Sequence, residues 1–479
     1  MELAAYEPVI GLETHVQLKT QSKMWCGCAN EFGAPPNTRV CPVCLGLPGV
    51  LPVANQEALR LTALAGLLLN CAIPSRSKFD RKNYFYPDMP KNYQITQYDQ
   101  PSAVRGCVEF EFGGGLARVR ITRVHLEEDV GKNFHFERQS GVDFNRAGVP
   151  LMEIVSEPDI SSAPMAYEYL NALKDILMYG GVSDCDMEKG MVRCDVNVSV
   201  RPKGQTALGA KIEIKNMNSF SGVRKALEYE IPRQIAVLEG GGALQQSTRR
   251  WNDAAGITEE MRTKEQAHDY RYFPEPDLMP FEPTEAWLQE VSKCVVELPL
   301  ARKRRFMRDF NLPASDAQTF VWDVPLGNYF ETAARQAKNP KAIANWVINN
   351  LRAKLAETQT SLENLKFPPS ALRELAGLVD EGKISTRTAQ DVFSEMFESG
   401  ESAAKIVERK GLAQLSDHGA IEQFCDQVIA ANPGPVVDYK AGKSAALNFL
   451  KGQVMKLSKG KANPALAGEI LERKLRAVT

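Results

Sequence analysis

Glu13 and His15 stand two residues apart in a run whose alternate positions are apolar. In residues 9–19, Ile10, Leu12, Val16 and Leu18 are apolar with Thr14 among them, while Glu13, His15, Gln17 and Lys19 occupy the positions between. Side chains on a β-strand alternate faces, so this pattern buries one side and presents a carboxylate and an imidazole together on the other. Residues 191–201 repeat the pattern: Val192, Cys194, Val196, Val198 and Val200 oppose Arg193, Asp195, Asn197, Ser199 and Arg201. In residues 211–215, Ile212 and Ile214 oppose Lys211, Glu213 and Lys215. A fourth strand, 118–129, shifts phase midway, the signature of a bulge, and ends in HLEED. If these strands are neighbours, their oxygens form a site for a hard cation such as Mg²⁺, and the interleaved Lys and Arg face phosphates. That combination suits Mg-ATP chemistry. A solvated sheet face fits the same periodicity, because strand order is not legible at this level.

No Walker A loop competes for the nucleotide. Gly442, Lys443 and Ser444 resemble its end, but Val437 stands where the earlier glycine is required. No glycine-rich dinucleotide fingerprint stands out either, so a nucleotide site here is expected to be of the open-sheet, multi-carboxylate kind.

A second constellation is the cysteine cluster. Cys26 and Cys28, then Cys41 and Cys44, form two close pairs twelve residues apart, whereas the other six cysteines are scattered. Four thiolates at this spacing suit tetrahedral zinc, and Gly27, Gly33, Pro35, Pro36, Pro42 and Gly46 supply turns for a knuckle. With no vacant ligand position implied, the expected role is structural; free buried thiols are the alternative.

The elements that must position these groups follow from the rest of the chain. At 479 residues, two to three domains are expected. The composition, 44% hydrophobic and 24% charged, is that of a globular protein and excludes disordered or collagen-like architecture. The N-terminal residues lack a signal-peptide pattern, and the longest apolar stretch, around residues 64–69, is too short for a membrane span and reads as a buried helix. A cytoplasmic location is the expectation. Up to about residue 290 the sequence reads as sheet with loops. After Pro299 it reads as short amphipathic helices, over 339–357, 370–381, 386–400 and 420–431, with starts at Asn339-Pro340, Pro369-Ser370 and Ser385. The expected domains are 1–292, 293–405 and 406–479. From residue 440 onward nine Lys/Arg face two Glu, which suits either a solvated helix face or phosphate-backbone contact.

The motifs, taken in order, resemble a known family. Residues 143–159 (DFNRAGVPLMEIVSEPD) are similar to the signature of the B subunit of aspartyl/glutamyl-tRNA amidotransferases. They are joined by GLETH at 11–15, RKNYFYPD at 81–88 continuing to DQP at 99–101, HLEED at 125–129, RCDVN at 193–197, EIKN at 213–216 and DYRYFPEPD at 269–277. The resemblance runs over essentially the whole chain. It implies an α+β fold: a glutamine-synthetase-like antiparallel-sheet catalytic (cradle) domain, an all-α helical domain and a small helical C-terminal tail. The implied activity is that of an ATP-dependent carbon–nitrogen ligase acting on Glu or Asp mischarged on tRNA, in a heterotrimer with an amidase partner and a small third protein. ATP, Mg²⁺ and a structural Zn²⁺ are the implied cofactors.

Carried over by position, the resemblance makes Glu13, His15 and one or both of Glu127 and Glu128 the Mg²⁺ ligands. The shared strand face adds Asp195, Asn197 and Glu213 to the catalytic set. Lys215, Asn216 and Arg271 are expected at the nucleotide, and Tyr84, Tyr86 and Tyr93 as platforms for the tRNA terminus. These tyrosines, with His268 and Tyr272, read equally as ordinary core residues. Cys194 faces the apolar side of its strand and is not expected to be a nucleophile. No amidase apparatus is recognisable, so ammonia is expected from a partner. Two other readings use part of the same pattern: a free-standing ATP-dependent amide ligase for a small carboxylate, and a non-catalytic zinc-stabilised RNA-binding scaffold.

Overall fold

Alternation in the sequence becomes alternation in burial. The computed structural model describes residues 5–217, 219–263, 270–413, 418–458 and 462–477, with only the backbone of residues 216, 262, 263 and 477. His268 and the side chain of Asn216 lie outside the described residues. The chain forms two compact units, residues 1–300 and 301–479.

In the first unit the strands are β1 (Tyr6–Gln17), β2 (Asp80–Asn83), β3 (Tyr93–Thr96), β4 (Ala103–Phe112), β5 (Gly115–Glu128), β6 (Lys132–His135), β7 (Ser140–Asp143), β8 (Pro150–Ser156), β9 (Val192–Pro202), β10 (Ile212–Met217), β11 (Ser247–Asn252), β12 (Ile257–Thr263) and β13 (Phe273–Pro274). Eight of them make one sheet in the order β12-β11-β10-β9-β1-β8-β5-β4. All its neighbours are antiparallel except β10 and β11, so the expected antiparallel sheet is a mixed one. β5 loses register with β8 between Ile121 and Arg123, where the sequence changes phase.

Helices α1 (Gln56–Leu68), α2 (Ala163–Tyr179) and α3 (Phe220–Glu239) pack on one side of this sheet. Val192, Cys194, Val196 and Val198 of β9 join Ile10, Leu12 and Val16 of β1 in the core with Leu64, Leu68, Leu170, Leu173 and Val223 from the helices. Each such side chain contributes roughly 1.5–3 kcal/mol on burial, which fixes which face of the sheet turns inward. The stretch around residues 64–69 is indeed a buried helix, started by Asn55, whose side chain accepts from the Glu57 and Ala58 amides. The return from α1 runs so close to β4 that a Cβ on Gly106 would stand 2.4 Å from the Leu69 carbonyl oxygen. Only glycine fits there. A small sheet, β13-β2-β3, lies along β5 on the polar side of the large one.

The second unit is helical throughout its described residues. One hydrophobic cluster runs from Phe306 to Val407 and another from Ile421 to Leu475. The sequence reading of α+β followed by helix and a small helical tail matches this architecture. Asn339 and Ser385 cap their helices through the Ala342 and Thr388 amides. At the third start the helix begins at Pro369 itself, after Pro368, with no side-chain cap; proline at the first helical position has no amide to satisfy. Residues 346–351 form a π-helical turn inside the predicted 339–357 helix. Among the described residues no helix is long and apolar enough to cross a membrane.

Candidate active site and cysteine knuckle

Strand order decides what the polar face contains. Register pairs Glu213 with Asn197, Glu13 with Asp195, His15 with Glu153, and Glu153 with His125. Five adjacent strands, β10-β9-β1-β8-β5, therefore place these side chains in a band across one face.

At the centre, Glu153 is shared by two imidazoles: His15 Nε2 and His125 Nε2 each stand 3.2 Å from its Oε2. Glu127 lies against the same rings, at 3.7 Å from His15 and 3.6 Å from His125, and accepts from Thr96 Oγ1 at 3.1 Å. Both carboxylates are buried. Burial alone would favour their neutral forms, but the imidazoles hold Glu127 below the usual carboxylate range and Glu153 well below it. Reciprocally, burial opposes a charge on His125, yet Glu153 and Glu127 outweigh it and push the ring up to about 9. His15 is raised for the same reasons.

These groups open on a cavity of about 250 Å³ whose lining includes Glu13, Lys82, Arg123, Glu127, Glu153 and Tyr272. Tyr272 stacks on Tyr98 at its rim, centroids 4.2 Å apart. Donor atoms of His15, Glu127 and Glu153 lie within 4.8 Å of one another. One imidazole and two carboxylates form an oxygen-rich set, and the charge that draws a proton onto His15 would equally draw a divalent cation.

Other predicted residues fall into place around this centre. Glu13 accepts from Asn197 Nδ2 at 2.7 Å. Lys215 is held between Asp195 and Glu213, at 2.7 and 2.9 Å, and Thr248 Oγ1 also donates to Glu213. Glu128 is not part of the cluster. Next to Glu127 on one strand, it points the other way and is clasped by Lys91 at 2.5 Å and by the Ile95 amide. Arg271 is exposed, with a left-handed backbone (φ 45°) and its carbonyl accepting from Asn83 Nδ2. Tyr84 meets Tyr270 edge-on, Tyr86 is exposed, and Tyr93 lies under the Arg81 guanidinium at 4.2 Å. Two central residues, His125 and Glu153, sit inside the quoted motifs but are absent from the site residues expected from the sequence. The available signal for Glu153 is its place as the lone charged residue in the otherwise apolar run of β8.

Farther along this face, Asp129 is a buried hub: Arg193 Nη2 reaches it at 2.8 Å, Gln17 Nε2 donates at 3.0 Å and Arg146 Nε stands at 3.6 Å. Despite burial, the two guanidinium groups hold its carboxyl below the usual range. Because Arg193 keeps 38% of its side chain exposed, Asp129→Asn should cost about 2 kcal/mol, short of the ~3–5 for a fully buried pair. A group with a lowered folded pKa stabilises above its unfolded value and loses that contribution as pH falls. Denaturant melts of wild type and variant should therefore differ at neutral pH and converge as the medium is acidified below about 4.

The cysteines converge as their spacing implied. Sulfurs of Cys26, Cys28, Cys41 and Cys44 all lie within 4.8 Å of one another, and none is in a disulfide. The Cys41–Cys44 sulfur separation of 3.9 Å is close to the ~3.8 Å edge of a tetrahedron with ~2.3 Å Zn–S bonds. Cys44 also accepts from the Cys41 amide and from buried Lys23. Hydrogen bonding from Cys26 is the main cause drawing the Cys44 thiol down to about 4, while burial pushes Cys28 up to about 11. A set of crowded sulfurs with a thiolate already favoured suits a structural zinc ion.

The first unit matches the family described as "GatB/GatE catalytic domain" over residues 8–289, and residues 328–475 match "GatB domain". Curated relatives extend over the full length. A protein of Caldanaerobacter subterraneus subsp. tengcongensis, named as the B subunit of an aspartyl/glutamyl-tRNA(Asn/Gln) amidotransferase, is 53% identical over 472 residues, 98% of this chain and 99% of its own. Proteins of the same name from Carboxydothermus hydrogenoformans and Myxococcus xanthus are 52% and 50% identical, over 98% and 99% of this chain and 99% and 100% of theirs.

Proposed function

The chain belongs to the GatB/GatE family, and from that premise we propose that it is the ATP-dependent component of a tRNA-dependent amidotransferase. The observation that carries the reading is the His15–Glu127–Glu153 cluster, whose two buried carboxylates line a cavity on the large sheet.

The proposed reaction has two steps. A side-chain carboxylate oxygen of Glu or Asp esterified to tRNA attacks the γ-phosphorus of ATP, and the bond to the ADP oxygen breaks. The resulting acyl phosphate has the leaving group that a free carboxylate lacks. Ammonia, released from glutamine by a partner amidase, then adds to the acyl carbon; the C–O bond to phosphate breaks, and an ammonia proton leaves with the phosphate. Bound at His15, Glu127 and Glu153, with Glu13 beside them, Mg²⁺ would neutralise charge on the transferred phosphoryl group. His125 holds Glu153 from the side away from His15, so that the carboxylates keep one orientation. Asn197 fixes Glu13 through its amide, and Lys215 is positioned by Asp195 and Glu213 next to the band.

An amidase and a small third protein complete the proposed assembly. The three hydrophobic clusters support domains near the expected bounds, with the second boundary after Lys410, because Ala403, Ile406 and Val407 pack in the second cluster. Contact of the C-terminal domain with tRNA is proposed on a smaller surplus of charge than the sequence implied. Arg473 and Lys474 are paired with Glu422 and Asp426 of an earlier helix, and Lys443 with Asp438.

Reconstitution with an amidase partner, ATP, Mg²⁺, glutamine and each mischarged tRNA tests the reading. ATP cleavage should depend on aminoacyl-tRNA and yield Gln-tRNA, Asn-tRNA or both. Equal ATP turnover with free glutamate and no tRNA would favour a free-standing ligase instead, and tRNA binding with no ATP turnover would favour a scaffold.

A further inference from the structure

The cavity is walled by three carboxylates, those of Glu13, Glu127 and Glu153, yet the function proposed above brings anions into it. Besides His125, already paired with Glu127 and Glu153, two basic side chains line it, Lys82 and Arg123. Arg123 already reaches Glu153, at 3.7 Å. Lys82 is different. Its Nζ lies over the Tyr270 ring, 4.9 Å from the centroid, and among the described residues it makes no hydrogen bond or ion pair with a carboxylate.

Its direction is set by its neighbour. Arg81 and Lys82 are consecutive on β2 and so point to opposite sides. The Arg81 guanidinium forks onto buried Glu275 at 2.7 and 2.8 Å, fixing that side of the strand and turning Lys82 to the cavity. Burial opposes its charge, but Glu127 and the tyrosines outweigh it and keep the ammonium protonated. A charged lysine over an aromatic face, with no carboxylate in hydrogen-bond or ion-pair reach among the described residues, is poised for the anion of a ligand.

We propose that Lys82 contacts the anion on which the cavity acts, an oxygen of the transferred phosphoryl group or of the carboxylate that receives it. The assignment rests on the ATP-dependent reading and names a group that the small sheet brings to the cavity. Lysine's compact ammonium suits a phosphoryl oxygen as a point charge, without the planar fork a guanidinium would impose. Lys215 and Arg271, the basic residues expected from the sequence, are a less direct fit: the first is neutralised by two carboxylates, and the second is absent from the cavity lining.

The test uses the intact amidotransferase complex with mischarged tRNA, ATP and Mg²⁺. Lys82→Met keeps an unbranched side chain of similar length and removes the charge. It should lower kcat/KM for tRNA-dependent ATP cleavage by about 10²-fold or more, with Lys82→Arg regaining at least about a tenth of wild-type activity. A raised KM for ATP identifies the phosphoryl oxygen as the contact, and a raised KM for aminoacyl-tRNA identifies the carboxylate. Either supports the assignment, as does a fall confined to kcat. Lys82→Met within threefold of wild type overturns it. So does Lys82→Arg as impaired as Lys82→Met when both melt at the wild-type temperature, because packing alone would then explain the loss. If Lys82→Met melts early, Lys82→Gln is compared with Lys82→Arg on the same criteria. An inactive wild-type complex would strike at the functional reading and not at Lys82.

Discussion

Glu153→Gln is expected to lower tRNA-dependent ATP cleavage by about 10²–10³-fold with little change in the shape of the site. Glutamine is nearly isosteric, so the effect isolates the charge. Glu153 is the one carboxylate in contact at 3.2 Å with both imidazoles, and it also supplies one of the three donors around the cation position. Its loss removes a metal donor and the main anion that raises His125. Titrating Mg²⁺ in the steady-state assay separates the two: a metal donor's loss shifts the Mg²⁺ requirement upward, whereas loss of orientation alone leaves it in place. Activity within a factor of three of wild type would remove Glu153 from the site.

The same substitution has a signature in metal-free protein. His125 has a folded pKa of about 9, above its ordinary 6.5, so its pairing stabilises fully below about 6.5 and is lost as pH rises through about 9. Glu153, lowered, contributes above the ordinary carboxylate range and loses that contribution as pH falls. Thermal melts after chelation should thus show a wild-type decline on the alkaline side that Glu153→Gln flattens. An unaltered alkaline flank would contradict the pairing.

Zinc removal is the second large effect, and it should be felt away from the sulfurs. The knuckle grips residues 142–145 through several hydrogen bonds. Asn37 exchanges hydrogen bonds with Asp143, Val142 and Phe144, while Asn145 donates to the Ala34 and Pro35 carbonyls and accepts from the Arg39 amide. Arg146, next in sequence, donates to the Val130 and Gly131 carbonyls and leans on Asp129. Structural zinc contributes ~10–16 kcal/mol in peptides that fold only around it. Here the large core remains, so chelation or Cys44→Ser should open the knuckle locally while the first unit stays folded. Amide exchange of Asn37, Arg39 and Phe144 is expected to accelerate about 100-fold or more, with core strands unchanged. Metal analysis should give one zinc per chain before chelation. Exchange unaffected by chelation would reduce the cluster to free thiols.

Much of the site was legible because the relevant rule is local. A period of two assigns each side chain of a strand to one face whatever the strand's neighbours are. Hence Glu13 and His15, Asp195 and Asn197, and Glu213 and Lys215 were each placed correctly on the polar side of their own strand. The cysteine spacing was similarly local, since a knuckle closes over fewer than twenty residues. In the helical half, Asn339 and Ser385 announced their helices because capping involves only the next three amides.

Strand order was not local, and there the sequence was silent. The burial of α1, α2 and α3 against one face, through contacts between residues far apart in the chain, sets β1 between β9 and β8 and β8 between β1 and β5. Only that order inserts Glu153 between His15 and His125. Alternation alone turns the neighbours Glu127 and Glu128 apart, but it is the tertiary structure that gives the first to the imidazoles and the second to Lys91. Likewise the fold brings Asp195 and Glu213 onto Lys215 and leaves Lys82 facing the cavity. Local pattern was thus enough to establish which residue types face the site and which metal suits the cysteines. Which carboxylates meet which bases was left to tertiary packing, because that pairing depends on long-range contacts that no short-range pattern encodes.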